Sequence, residues 1–201
     1  MRYMLDTNLK TAYEKSNDFL TMLNLKNDKM VSTQEVIDIV EKHFCPDIDI
    51  SFGAFSDFGI NEPYGAMMKV IINNESKKIT NATIILNTDN DATFQRFSLL
   101  HEIGHLVMHA WDSTEELSED NANKYVVSTH INYNITNISE KQYKDNHYLI
   151  NEQLANIFAL RVLMPSDQFI SKMKEYKNIA DVAKFFGLTE DAVLSRIRIG
   201  A

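Results

Sequence analysis

The chain has a single cysteine, three prolines and six glycines among 201 residues. One thiol, Cys45, excludes an intramolecular disulfide and agrees with a reducing compartment. Cys45 stands just before Pro46 at what reads as a helix end, the setting of a half-buried structural thiol rather than a nucleophile. The N-terminus lacks a basic region followed by a continuous apolar run, and Asp6, Glu14 and Asp18 interrupt it early, so no signal peptide is expected. No apolar segment approaches the length of a bilayer crossing, and the expected location is the cytoplasm. Positive charge is short as well. Twenty Lys and Arg against 28 Asp and Glu leave a formal net charge of −8 and a pI near 5.2. That balance disfavours direct nucleic-acid binding, which calls for a basic face, and an anionic membrane surface; its plain meaning is solubility. Internal repeats and low-complexity linkers are absent too. The hydrophobic share of 44% and charged share of 24% are ordinary for a globular protein long enough for one good core.

Taken in order, the pattern predicts a helix from about Thr7 to Leu25, with Tyr13, Leu20 and Leu23 toward one side. Ser32-x-x-Glu35 reads as a capping box for a second helix carrying Val36, Ile39, Val40, His43 and Phe44, with His43 a packing residue. Pro46 ends it. Asp47 to Phe55 alternates as a strand, and Ala66 to Ile72 and Asn81 to Asn87 are stronger strands, joined by a polar, turn-like run that predicts antiparallel pairing. Thr88, Asp89 and Asp91 offer caps for the helix that follows. The stretch from Trp111 to Tyr148 has no period. It reads as a flap over that helix or as an embellishment with one short strand near Lys124 to Ser128. Helical signals return from Leu149 to Met164, stop at Pro165, resume in a short helix capped by Ser166 and running to about Tyr176, and end in two short amphipathic helices. Val182, Phe185 and Phe186 lie on the first, and Ala192, Val193, Leu194 and Ile197 on the second.

The chemistry concentrates in His101-Glu102-Ile103-Gly104-His105. Residues four apart share a helix face, so His101 and His105 can reach one metal ion, and Glu102 stands where it can deprotonate a water on that ion. At about 100° per residue, Leu99, Ile103, Leu106, Val107 and Ala110 form an apolar face, while Phe94, Phe97, His101, His105 and Met108 share the other. The expectation is a helix with one face in the core and one face competent for metal.

Two histidines leave a tetrahedral ion one protein ligand short. An extended His-Glu-x-x-His-x-x-Gly-x-x-His motif is absent, since Met108 and Trp111 occupy its last two positions. His109 is displaced along the axis and rotated by about 80° from His101, which leaves it a solvated helix-end residue or a contact for substrate. Glu152 shares a face with Asn156, Ala159 and Leu163 on a helix that reads as buried nearly all round. A buried carboxylate needs a partner, and a metal would be one; a first-turn acid favoured by the helix dipole is the competing explanation. Asn156 is placed one turn on to hydrogen-bond a ligating imidazole.

Arg96-Phe97-x-x-x-His101-Glu102-x-Gly104-His105, followed by Glu152-x-x-Ala155-Asn156-x-Phe158-Ala159 and Leu163-Met164-Pro165, resembles the ImmA/IrrE family of zinc metallopeptidases. The likeness runs from about Ile84 to Pro165 and extends weakly to Val182–Thr189. The resemblance implies a zinc site on His101, His105 and Glu152, a catalytic Glu102, and a helix-turn-helix repressor of a phage or mobile element as the partner that is cleaved or inactivated. It also implies an α+β, zincin-like domain over residues 1–165. In that domain a small antiparallel-containing sheet packs against the His-Glu-x-x-His helix and the glutamate helix. A helical tail, 166–201, packs on the same domain. The long 111–148 insert departs from the family's usual shorter spacing.

The resulting expectation is a cytoplasmic endopeptidase using Zn2+, with Mn2+ as the alternative ion. Glu102 takes a proton from water and returns it to the leaving amine. His109, His147 and Tyr148, with Tyr125 and Tyr133, are the candidates to steady the oxyanion or touch substrate. Thr83 to Leu86 offers an edge for an extended substrate. The rival is a non-catalytic, metal-containing protein-binding regulator: an anti-repressor or a toxin–antitoxin component. Direct DNA binding by the last two helices is disfavoured, because Asp181, Glu190 and Asp191 offset Lys184, Arg196 and Arg198.

Overall fold

A computed structural model describes residues 2–24, 29–58, 65–72, 79–111, 126–128 and 147–200. The elements are α1 (Arg2–Leu23), α2 (Thr33–His43), β1 (Ile48–Gly53), a 3-10 turn (Phe55–Phe58), β2 (Ala66–Ile72), β3 (Ile79–Asn87), α3 (Ala92–Trp111), β4 (Val126–Ser128), α4 (His147–Leu163), α5 (Ser166–Glu175), α6 (Ile179–Phe186) and α7 (Glu190–Arg198). They form two compact units, one of Ser32–Ile131 and one of Met1–Val31 with Asn132–Ala201. None of the helices among the described residues is long and apolar enough to cross a membrane.

The Ser32–Ile131 unit is a sheet with helices against it. The strand order is β1-β3-β2-β4, with β1 parallel to β3 and both other pairs antiparallel. The predicted β2–β3 pairing and the short strand near 124–128 are both present. Register puts Ile48, Ala82, Ile84, Leu86, Ala66 and Met68 on one face, and all six are buried. On the other face Asp49 is exposed and Ser51 and Thr83 are half-buried. Helix α3 packs against β2 and β3, and α2 against α3 and β1.

Two expectations change here. Thr83 to Leu86 is not an edge: it lies in β3, bonded on one side to β1 and on the other to β2. The alternation of a lone strand cannot show how many neighbours it will have, and β1 occupies the side expected to be free. The first strand also stops at Gly53 rather than running to Phe55, because the chain turns into the 3-10 segment. Ser32 is the N-cap of α2 as predicted, but its side chain makes no capping bond; only its carbonyl accepts the Val36 N–H, at 3.2 Å.

The start of α3 is fixed by a polar knot. The Asp91 carboxylate accepts the Phe94 N–H at 2.9 Å and the Asp91 carbonyl accepts the Gln95 N–H at 2.9 Å. Gln95 Nε2 donates back to the carbonyls of Asn87 and Asn90, at 3.0 and 2.9 Å. Asn90 Oδ1 in turn accepts the N–H of Gly65, whose φ of 125° only glycine adopts readily. The entry to β2, the end of β3 and the first turn of α3 are thereby tied together.

In the other unit α1 packs along α4, with Phe19 edge-on to Phe158 at 5.3 Å. From Ala155 to Met164 every residue of this segment is buried, as the sequence pattern predicts. Two buried arginines, which the sequence reading assigned no role here, organise this unit. Arg161 donates to Ser16 Oγ and Asn17 Oδ1, both at 2.9 Å, and lies 4.5 Å above the Tyr13 ring. Arg196 donates to the Met164 carbonyl at 3.1 Å, to Ser166 Oγ at 2.9 Å and to the Gly200 carbonyl. Burial, and then the like charge of Arg161, lower the Arg196 guanidinium from its ordinary value to about 10. Ser166 is consequently not the cap of α5 but its first residue, with Pro165 at the cap and the hydroxyl committed to Arg196. Of the apolar residues on α7, Leu194 and Ile197 are 37% and 42% exposed, while Ala192 and Val193 are buried together with Arg196. The α6–α7 junction is set by local caps that the sequence analysis does not name. Asn178 and Thr189 cap the two helices, and Gly187 takes the left-handed conformation, φ 61°, between them.

Candidate metal centre

His101 and His105 lie on successive turns of α3, and the i to i+4 spacing brings their rings together edge to face, with centroids 4.8 Å apart. Their Nε2 atoms are 3.1 Å apart. Two ligands at 2.0–2.1 Å from a tetrahedral ion stand about 3.3 Å apart, so the observed separation fits a shared ion with little adjustment. The ligating atoms of His101, His105 and Glu152 all lie within 4.8 Å of one another, and the three residues are buried. Two neutral imidazoles and one carboxylate are the donor set of a zinc site that keeps a fourth position for water or substrate. These three side chains can therefore hold a metal ion.

Glu102, beside His101, is fully buried. Asn156, one turn on from Glu152 in α4, is 4% exposed, so a polar amide accompanies the carboxylate inside the protein. Ser98 is also buried, its hydroxyl donating to the Phe94 carbonyl one turn back at 2.9 Å. Helix α3 is not two-faced in the way its periodicity suggests. Every residue from Phe97 to Val107 is buried, including Leu100 and Phe97, which the apolar face does not contain. The histidine face is enclosed rather than open, which a single helix's pattern cannot reveal.

Burial lowers the Arg96 guanidinium from its ordinary value and pushes the Cys45 thiol up, with smaller opposing and reinforcing effects from Asp47. The buried thiol donates to the Asp47 carbonyl at 3.4 Å, the structural role expected of it. The backbone of His109 lies in α3 and that of His147 and Tyr148 in α4, but their side chains fall outside the described residues, as do Tyr125 and Tyr133 entirely. The same holds for the 111–148 insert apart from its ends and β4. The Gln95 knot at the head of α3 was not anticipated. The only signal for it was the amide-rich run Asn87 to Gln95.

Residues 60–198 match the IrrE N-terminal-like domain, a peptidase domain, and the matched span includes His101, Glu102, His105 and Glu152. No curated protein matches the chain.

Proposed function

The chain belongs to the IrrE N-terminal-like family of peptidases, and on that premise we propose that it is a cytoplasmic zinc-dependent endopeptidase whose substrate is a partner protein, a helix-turn-helix repressor of a phage or mobile element. The observation that carries this reading is a buried His-His-Glu donor set with a fourth buried acid, Glu102, next to one of its histidines. A site that only braces the fold has no use for that extra carboxylate.

His101, His105 and Glu152 would hold the ion, which supplies Lewis acidity toward a peptide carbonyl and lowers the pKa of water toward neutrality. The protein's own residues do the rest. His101 and His105, fixed on adjacent turns of a fully packed helix, present their Nε2 atoms in a set orientation. The Glu102 carboxylate accepts a proton from the attacking water and passes it to the nitrogen of the leaving amine. Enclosure of all four side chains keeps bulk water away from these charges and strengthens their mutual interactions.

The test is to incubate the purified protein with a helix-turn-helix repressor, taken from the neighbouring genes where one is encoded there, with Zn2+, with Mn2+ and with chelator. Chelator-sensitive fragments support the peptidase. A stable complex without fragments identifies a non-catalytic regulator instead. Glu102→Gln should retain metal and lose cleavage by a factor of about 10²–10⁴; full proteolysis by that folded, metal-loaded variant defeats the mechanism.

A further inference from the structure

Gln95 reaches from the first turn of α3 back to the strand that precedes it. Its Nε2 donates to the carbonyl of Asn87, the last residue of β3, at 3.0 Å, and to that of Asn90, in the connecting turn, at 2.9 Å. The turn is tied to the rest of the sheet as well. The Thr88 N–H donates to the Gly53 carbonyl at the end of β1 at 3.1 Å. The Gly65 N–H, next to the start of β2, donates to Asn90 Oδ1 at 3.1 Å. Asp91 also caps α3, but its bonds with the N–H groups of Phe94 and Gln95 stay within the helix and its cap. Gln95 is the side chain that carries the connection from helix to strand.

We infer that Gln95 is a positioning residue for the metal centre: its two bonds fix the slide and rotation of α3 on the sheet and, through the helix, the places of His101 and His105. The inference rests on the metal-site reading above. Both histidines ride on α3, so their Nε2 separation of 3.1 Å survives any motion of the helix as a body. Their distances to Glu152 do not. A metal centre needs its ligands within about 0.5 Å and 10–20° of the working geometry. At a side-chain radius of about 5–6 Å, a turn of about 10° about the helix axis moves a ligand atom by about 1 Å. That is enough to spoil the site. The apolar packing of α3 on β2 and β3 is non-directional, and packed helices slide past one another by small amounts. The Gln95 bonds are directional and weaken steeply once bent or stretched, so they resist the motion that packing permits. Gln95 lies about 9 Å along the axis from His101. Every residue from Phe97 to Val107 is buried, so a shift of the first turn passes to the histidines along a continuous helix.

A competing explanation is that Gln95 merely suits a helix start, and the two explanations rank replacements in reverse. Helix electrostatics favours Glu over Met and Met over Lys in a first turn. The two carbonyls favour Lys, which can donate to both, over Met, which can donate to neither, and Glu, which meets them with a negative charge. Gln95 is half-buried, so a charged side chain can be accommodated there.

Zn2+ affinity, measured by competition with a chromophoric chelator, and the visible spectrum of the Co2+-loaded protein read the centre without requiring cleavage. Gln95→Met and Gln95→Glu should stay folded by circular dichroism, bind Zn2+ about tenfold more weakly and shift the Co2+ bands. Gln95→Lys should restore both the affinity and the wild-type spectrum. Asp91→Ala, which removes a cap and leaves Gln95 in place, should lose stability and keep both. If Gln95→Met does not fold, the contrast between Gln95→Glu and Gln95→Lys decides. Folded Met and Glu variants that bind Zn2+ like wild type overturn the inference. So does an affinity order that follows helix electrostatics, or an Asp91→Ala variant weakened as much as Gln95→Met. A wild-type chain that binds no Zn2+ removes the metal-site reading itself, so the two failures are told apart.

Discussion

Replacing Arg196 by methionine and by alanine separates two ways in which a buried guanidinium can hold a fold. Arg196 is fully buried, donates to Met164, Ser166 and Gly200, and its Cζ lies 5.1 Å above the Phe169 ring. Holding it charged there has a cost: the lowering from its ordinary value to about 10 corresponds to about 3 kcal/mol against the charged form. Methionine keeps much of the aliphatic volume and removes that cost. It leaves the buried Met164 carbonyl without a donor, about 1–3 kcal/mol, and forfeits the Phe169 contact, about 1–2 kcal/mol. Ser166 and Gly200 are partly open, and water can replace the donor at both. The terms nearly cancel, so Arg196→Met should lie within about 2 kcal/mol of wild type. Arg196→Ala adds a cavity and should cost about 3–5 kcal/mol. Urea midpoints at unchanged m-value measure both. The pH dependence has a definite sign. Because burial lowers the folded guanidinium below its unfolded value, the wild type gains stability over the methionine variant as pH rises above about 10, and the difference is flat below. A methionine variant as unstable as the alanine one would show that the hydrogen bonds, not the filled volume, hold the three segments together.

Three further outcomes follow from the site and its surroundings. Chelation, or Glu152→Ala at fixed zinc, should lower the thermal midpoint, since about 2.7 kcal/mol of stabilisation is lost at a metal concentration of 100 Kd, equivalent to about 5–11 °C for a chain of this size; identical midpoints with and without metal would remove Glu152 from the ligand set. Cys45, buried and with its thiol pushed up, should resist iodoacetamide in native buffer at pH 8 and react on unfolding; rapid native labelling would contradict its enclosed environment. Asp91→Ala removes the carboxylate that caps α3 and should destabilise by about 1 kcal/mol in urea unfolding, with no change if water already satisfies the Phe94 N–H.

The sequence by itself determined the local events. The histidine pair needed only the 3.6-residue period of one helix, so His101 and His105 were legible as partners. Caps and stops such as Asn178, Thr189, Gly187 and Pro165 act within a few residues, and their helices begin and end where that chemistry directs. The strands Ala66 to Ile72 and Asn81 to Asn87 were visible in their runs of β-branched residues for the same reason, the second beginning two residues earlier, at Ile79. What only the tertiary structure decided was each element's number of neighbours. It placed β1 beside β3, making Thr83 to Leu86 an interior stretch. It enclosed the histidine face of α3, and it turned Arg196 inward while Leu194 and Ile197 faced out. It also brought Glu152 within ligand distance of two histidines that lie about 50 residues earlier in the chain, at a separation where no helical or strand period carries information. Periodicity reports which side of an element is apolar. It does not report what will lie against that side, and the candidate centre depends on both.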